Sequence, residues 1–166
     1  MAPLGALFPP LPPDLVAFAE GGVSLLVGTC DAAARPDCVR AVGVRVRADA
    51  CGLTVLVPAA TGATSIANVR ANPRIAVTLS DVPTHRTFQV KGRVLAARDG
   101  DADDHALARR YRASFVETLA YVGQLPRLTG RLGIWPCHAI DLEIEVVFAQ
   151  TPGPVAGERM PLREKT

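Results

Sequence analysis

Apolar and polar residues alternate along most of this chain, and the alternation predicts strands. Val23 to Thr29 is a short, nearly continuous apolar run, as expected of a buried strand. Val42, Val44 and Val46 alternate with Gly43, Arg45 and Arg47, which predicts a second strand with one wet face. Leu53 to Val57 is a third, ended by Pro58. Ile75, Val77 and Leu79 alternate with Ala76, Thr78 and Ser80, and Phe88, Val90 and Val94 alternate with Gln89, Lys91 and Arg93. In the last and clearest strand, Ile140, Leu142, Ile144, Val146 and Phe148 define one face, with Asp141, Glu143 and Glu145 on the other. Segments of this kind separated by turns predict a mostly β, mainly antiparallel sheet or barrel.

Helices are fewer and peripheral. Asp14 to Glu20 predicts a short one, stopped by Gly21-Gly22. Thr64 to Ala71 predicts a second, ended by Asn72-Pro73 because the residue before a proline resists the α region. Asp101 to Val122 is the long one, with Leu107, Tyr111, Phe115 and Leu119 in one apolar stripe. Asp101, Asp103 and Asp104 stand at its start, where negative charge suits the helix dipole.

With 166 residues the chain is expected to form one domain over 1–166, flanked by a proline-rich arm at 1–13 and an extended tail at 151–166. Eighteen basic against sixteen acidic residues leave a net charge of +2, too small for a nucleic-acid footprint made by charge alone. No apolar run approaches the roughly 20 residues that cross a bilayer. The first 13 residues lack a signal peptide's basic region and uninterrupted apolar core. A cytoplasmic protein without a membrane or nucleic-acid partner is the expectation. Cys30, Cys38, Cys51 and Cys137 make no C-x-x-C pair, and His85, His105 and His138 show no zinc spacing. Reduced thiols and no metal site are expected. His85 reads as a turn residue, Trp135 as packing, and Cys30 as a small buried group near the end of its strand.

No nucleophile elbow, P-loop, Rossmann fingerprint or H-E-x-x-H is present. The information lies in the order of elements. A helix leads into a strand, and a second strand follows with Arg40-Ala41-Val42-Gly43-Val44. A third strand ends in a hydroxyl-bearing turn, Thr61-Gly62-Ala63-Thr64-Ser65, and the short helix closes with Asn72-Pro73-Arg74-Ile75. A strand bearing Thr87-Phe88-Gln89-Val90 and then the long helix come next.

Between Asp14 and Phe148 this order resembles the FMN-binding split β-barrel family, the pyridoxamine 5′-phosphate oxidase-like proteins. The resemblance implies a split barrel and a homodimer with FMN at the subunit interface. It implies a flavin-dependent oxidoreductase acting on a small redox substrate, or, as the rival reading, a non-catalytic flavin, deazaflavin or haem binder. A third possibility is an interaction module whose pocket has decayed. The resemblance implies cofactor-binding positions at Arg40, Ala41 and Val42, at Thr61, Thr64 and Ser65 in the turn that receives the phosphate, and at Thr87 and Gln89 beside the flavin ring. The residues agree in part: a helix start suits a phosphate, although a threonine there can equally be a simple cap. No residue stands out as a general acid or base.

Two departures qualify the resemblance. Firm FMN binders in the family often carry an Arg-Lys pair where this chain has Thr64 and Ser65. Losing two charged contacts costs about 3–6 kcal/mol unless another cation, such as Arg70 or Arg74, reaches back. The Arg- and Trp-bearing C-terminal signature of the true oxidases is also missing, which argues against pyridoxamine phosphate as the substrate.

Overall fold

The computed structural model describes residues 10–160. In order, the chain forms α1 (Pro13–Glu20), β1 (Ser24–Cys30), β2 (Pro36–Arg40), β3 (Val44–Val46), β4 (Gly52–Pro58) and α2 (Ala59–Ala71). Then come β5 (Arg74–Ser80), β6 (Thr87–Asp99), α3 (Ala102–Tyr121), α4 (Pro126–Thr129) and β7 (Cys137–Ala149). The strands make one seven-stranded antiparallel sheet in the order β2-β1-β5-β6-β7-β4-β3.

The strand expected over Val42 to Val46 is only β3, Val44–Val46; a separate strand, β2, precedes it, and the two occupy opposite edges of the sheet. Residues 41–43 cross between them. The Ala41 N–H donates to the Leu25 carbonyl on β1, and the Val42 N–H donates to the Leu56 carbonyl on β4. This short crossing curls the sheet into a barrel, because each edge's backbone groups are met through it. Ala41, Val42 and Gly43 are all buried, so their apolar pattern reads as a strand although they form a seam.

Leu25, Val27, Leu53, Val77, Leu142 and Ile144 fill the barrel, each with at most 1% of its surface exposed. β7 does not hold its expected face to the end. A bulge places both Ile144 and Val146 opposite the consecutive residues Gly92 and Lys91, with Glu145 left over. Beyond it the phase inverts: Val147 is buried, while Val146 and Phe148 turn to the half-buried outer side. Gly92 is required here, since a Cβ would stand 2.0 Å from the Glu143 carbonyl oxygen.

α2 begins at Ala59, five residues before its expected start. Pro58 is extended and serves as N-cap, and Ala59-Ala60 are strong helix formers. The helix lies across the end of the barrel and ties three strands. Ser65 Oγ donates to Asp37 Oδ2 on β2 at 2.5 Å, and Asn68 Nδ2 donates to Thr29 Oγ1 on β1 at 3.1 Å. Gly62 lies so close to Val57 of β4 that a Cβ would come within 2.2 Å of Val57 Cγ1. The helix ends at Asn72, as expected.

α3 is held by its first turn. Asp101 and Asp104 form a reciprocal capping box. Asp104 is fully buried, accepting from Arg98 Nη1 at 2.5 Å with Arg45 Nη2 at 3.5 Å. Burial alone would raise the Asp104 carboxyl. The Arg98 and Asp101 hydrogen bonds and the charges of Arg98 and Arg45 outweigh it and hold the group below the usual carboxylate range. Tyr111 and Phe115 are the buried part of the expected stripe, with Leu107 and Leu119 partly buried.

The described ends differ from expectation. Leu11 is buried and its N–H donates to the Ala50 carbonyl, so the described part of the arm packs against the barrel. After turns at 151–157 the chain doubles back: Gly157 donates to the Ala149 carbonyl and Met160 to the Val147 carbonyl. The remainder of the arm, 1–9, and of the tail, 161–166, lie outside the described residues.

Candidate functional site

Arg40 ends β2 at the seam, exposed to solvent. Its Nη1 donates to Ser24 Oγ at 3.2 Å, and its guanidinium stands 5.6 Å from the centroid of the Phe115 ring. A cation over an aromatic face is attracted by the ring quadrupole, so α3 helps hold Arg40 in place.

Two adjoining clefts open beside it, sharing Arg40, Leu132 and Gly133. The smaller, about 260 Å³, is lined by Val42, Thr61, Trp135 and the start of α2. The larger, about 540 Å³, runs under α3 and α4 past Phe115, Leu128 and Arg131. That size is in the range of small-molecule pockets. None of the described residues lining either cleft is a carboxylate, an imidazole or a thiol.

The eight positions singled out in the sequence separate in space. Arg40, Val42 and Thr61 line one cleft. Ala41 is fully buried, and its backbone is engaged in closing the barrel. Thr61 to Ser65 is helix rather than an opening turn. Thr64 is exposed on the second turn and does not line the clefts, and Ser65 is fully buried against Asp37.

Thr87 and Gln89 belong to the barrel's outer face. Gln89 Nε2 donates to Thr78 Oγ1 at 3.1 Å, and the Thr87 N–H donates to Thr151 Oγ1 at 3.0 Å. The register sets Arg40, Leu26, Thr78, Gln89 and Phe148 in one row across five strands. Arg40 and Gln89 are three strands apart, about 14 Å at ordinary strand spacing.

Arg131 and Trp135 were not expected at the site. Trp135 is not simply a packing residue. Its indole lies 4.6 Å from the His105 ring, yet 42% of the residue is exposed and it lines the smaller cleft. Arg131 lies in a loop held down by Arg112, whose Nη1 reaches the Leu132 carbonyl at 3.4 Å. A cation bracketed by Gly130 and Gly133, where the chain must bend, is the signal that was available.

The other reactive residues lie elsewhere. His85 is a turn residue, as expected, with φ of 60° between β5 and β6. His138 Nδ1 pairs with Asp99 at 3.0 Å. Cys30 is partly buried, its sulfur accepting from Asn72 Nδ2 at 3.1 Å. Burial pushes the Cys137 thiol up to about 11, leaving it protonated at neutral pH. None of the four cysteines is in a disulfide. Among the described residues no three His, Cys, Asp or Glu side chains converge as metal ligands, and no helix is long and apolar enough to cross a membrane.

Several solved structures share this fold. A protein from Lactobacillus delbrueckii named for pyridoxamine 5′-phosphate oxidase superposes with a TM-score of 0.54 at 17% identity, over 84% of this chain and 94% of that one. HupZ from Group A Streptococcus gives 0.56 at 18% identity, over 89% and 100% of the two chains. A structure named F420 Reductase gives 0.52 at 15%, over 82% and 98%. No curated protein matches the chain at a significant level. The model of one family, pyridoxamine 5′-phosphate oxidase, matches residues 11–135, well over half of the sequence and all of it from α1 to the cleft wall at Trp135. By that match, and with the fold in agreement, the chain belongs to the pyridoxamine 5′-phosphate oxidase family.

Proposed function

We propose that this protein is a dimeric FMN-binding redox protein whose Arg40 cleft takes the phosphate end of the cofactor. The charge of the cleft carries the reading: a guanidinium, the Thr61 hydroxyl and the start of a 13-residue helix share it with no lining carboxylate. The first N–H groups of a helix are unpaired and lie at the positive end of its dipole. Ala59 donates to the Pro136 carbonyl, so the next N–H groups, of Ala60 and Thr61, are the natural donors to a phosphate. FMN's phosphate is close to dianionic at neutral pH, and the fork of Arg40 matches two of its oxygens.

In this reading the phosphate lies near Thr61 rather than near Thr64 and Ser65. Thr87 and Gln89 on the outer face are the ring-side candidates, at a span that suits a long, thin ligand. That face also carries the half-buried Val146 and Phe148 and Leu26, 39% exposed, and a two-fold partner is the common way to cover such a surface. Bound FMN would supply the electron-accepting ring, while the protein's groups bind and orient it.

The reaction is that of a flavin-dependent oxidoreductase on a small substrate. A lining of arginine, hydroxyl and apolar groups also fits a carrier of flavin, deazaflavin or haem that transfers no proton, and the name of the F420 Reductase neighbour makes deazaflavin the first alternative to try. Titration of the purified protein with FMN, followed by flavin fluorescence and then by turnover with NADH or NADPH, tests both levels. Saturable binding that weakens in Arg40→Ala supports the cofactor site. Absence of FMN binding overturns it, and binding without turnover favours the carrier.

A further inference from the structure

The start of α2 is uncharged: Ala59, Ala60, Thr61, Ala63, Thr64 and Ser65 offer hydroxyls and backbone N–H groups but no cation. Of the compensating arginines expected from sequence, Arg74 lines a separate groove on the outer sheet face with Lys91. Arg70 is in the last turn of α2, nine residues beyond Thr61, or about 13 Å along a helix. Neither is at the end of the helix that opens on the clefts.

Arg131 lines the larger cleft together with Arg40, and Arg40, Leu132 and Gly133 continue from it into the smaller cleft where α2 starts. Its backbone is fixed: the Arg131 N–H donates to the Leu128 carbonyl, the Leu132 N–H to the Thr129 carbonyl, and Arg112 of α3 holds Leu132. Neither Arg40 nor Arg131 is in an ion pair among the described residues. The half-buried Arg45, Arg47 and Arg98 each face a carboxylate, whereas Arg40 and Arg131 are exposed and line a cavity that has no carboxylate in its lining. Two unpaired guanidiniums lining one cavity repel each other unless an anion lies between them.

We infer that Arg131 and Arg40 form a two-guanidinium clamp for a phosphate monoester, with Arg131 supplying the second positive charge that the start of α2 lacks. The clamp rests on the reading of this cleft as the phosphate end of a flavin site, and it adds a residue and a selectivity to that reading. Two forks balance a near-dianion. They give the cleft a preference for FMN over riboflavin, which has the same ring and no phosphate.

The test compares those two flavins. Trp135 is the chain's single tryptophan and lines the smaller cleft, so quenching of its emission reports entry of either ligand. The wild type should bind FMN more tightly than riboflavin. Arg131→Gln should weaken FMN by about tenfold or more while leaving riboflavin within about twofold, as expected for the loss of a charge-assisted contact. Arg131→Lys should restore part of the preference, and Arg127→Gln, the same charge change on α4 outside both clefts, should leave it intact. Unchanged FMN affinity in Arg131→Gln, or an equal fall for both flavins, overturns the clamp. If the wild type binds neither flavin, the cofactor reading fails and inorganic phosphate measured by calorimetry decides the clamp alone. Phosphate binding that is lost in Arg131→Gln supports it, and no phosphate binding, or binding unaffected by the substitution, overturns it.

Discussion

Arg98 donates from Nη1 to Asp104 Oδ2 at 2.5 Å, joining the end of β6 to the first turn of α3 across the barrel wall. Asp104 is fully buried, and the contact is reinforced by the Asp101 N–H at 3.2 Å. The carboxylate is thus both a helix cap and the inner half of an ion pair.

Removing that carboxylate should loosen α3. Asp104→Asn should lower stability by about 1.5–3 kcal/mol, the usual worth of a hydrogen bond to a charged group. The acid limb should change too. The folded-state carboxyl is held below its ordinary value of 3.8, so its contribution is present above that pH and is lost as pH falls through the folded value. Asp31 and Asp49 are lowered as well, by hydrogen bonds involving Arg35 and Arg47, so the acid dependence should shrink in Asp104→Asn without vanishing. Melting curves from pH 2.5 to 7 check this, and parallel wild-type and variant profiles would contradict it.

The bulge in β7 makes a ranking. Leu142→Ala should cost about 2–5 kcal/mol, because Leu142 is fully buried inside the barrel. Val147→Ala should be clearly more damaging than Val146→Ala, opposite to the order given by strict alternation from Ile140. Denaturant titration of the three variants reads it directly.

Arg40→Ala should weaken FMN by about one to two decades, from the roughly 1.5–3 kcal/mol of a charged hydrogen bond. Arg40→Lys should recover part, since it keeps the charge without the fork. Thr64→Ala should bind like the wild type, because Thr64 does not line the clefts. Ser65→Ala should lower the melting temperature through its lost bond to Asp37 while leaving affinity unchanged. Flavin-fluorescence titration with parallel melts separates the two classes, and a large affinity loss in Thr64→Ala would return the phosphate to the second turn of α2.

A dimer should form through the outer sheet face. Light scattering at micromolar concentration should give twice the chain mass, and Leu26→Asp, next to Arg40 in the row from Arg40 to Phe148, should give the monomer. A monomeric wild type with FMN present would count against the arrangement.

Much of this fold is legible in the sequence because alternation with period two reports burial directly. Ile75 to Ser80 is read correctly for that reason, and Leu53 to Val57 is read instead as a short apolar run, buried throughout. The failures share a cause: the backbone did something local that the pattern of side chains does not record. At 41–43 three buried residues cross between the two edges of the sheet although the apolar pattern there reads as a strand. At Glu145 one inserted residue inverts the phase of all that follows. At Thr61-Gly62 a turn-like pair continues a helix, since close packing on Val57 suits glycine better than any larger residue. Arg131 is not among the expected positions because it lies on a fold-back loop, and Arg40 and Phe115, which line the same cleft, are far away in sequence.

The crossing at 41–43 has a consequence for how the barrel assembles. β2 pairs with β1 nearby in the chain, but β4 must find β7, as in the bond from Thr54 to Asp141, 87 residues apart. Such long-range pairing carries a high loop-closure cost and comes late in folding. The cleft exists only once that seam has shut, for Arg40 stands on one side of it and the start of α2, which follows β4, on the other. A ligand gripping both would act as a staple across the closing edge. It would bind the finished barrel and not its precursors, and the chain's resistance to opening would rise with the ligand's concentration.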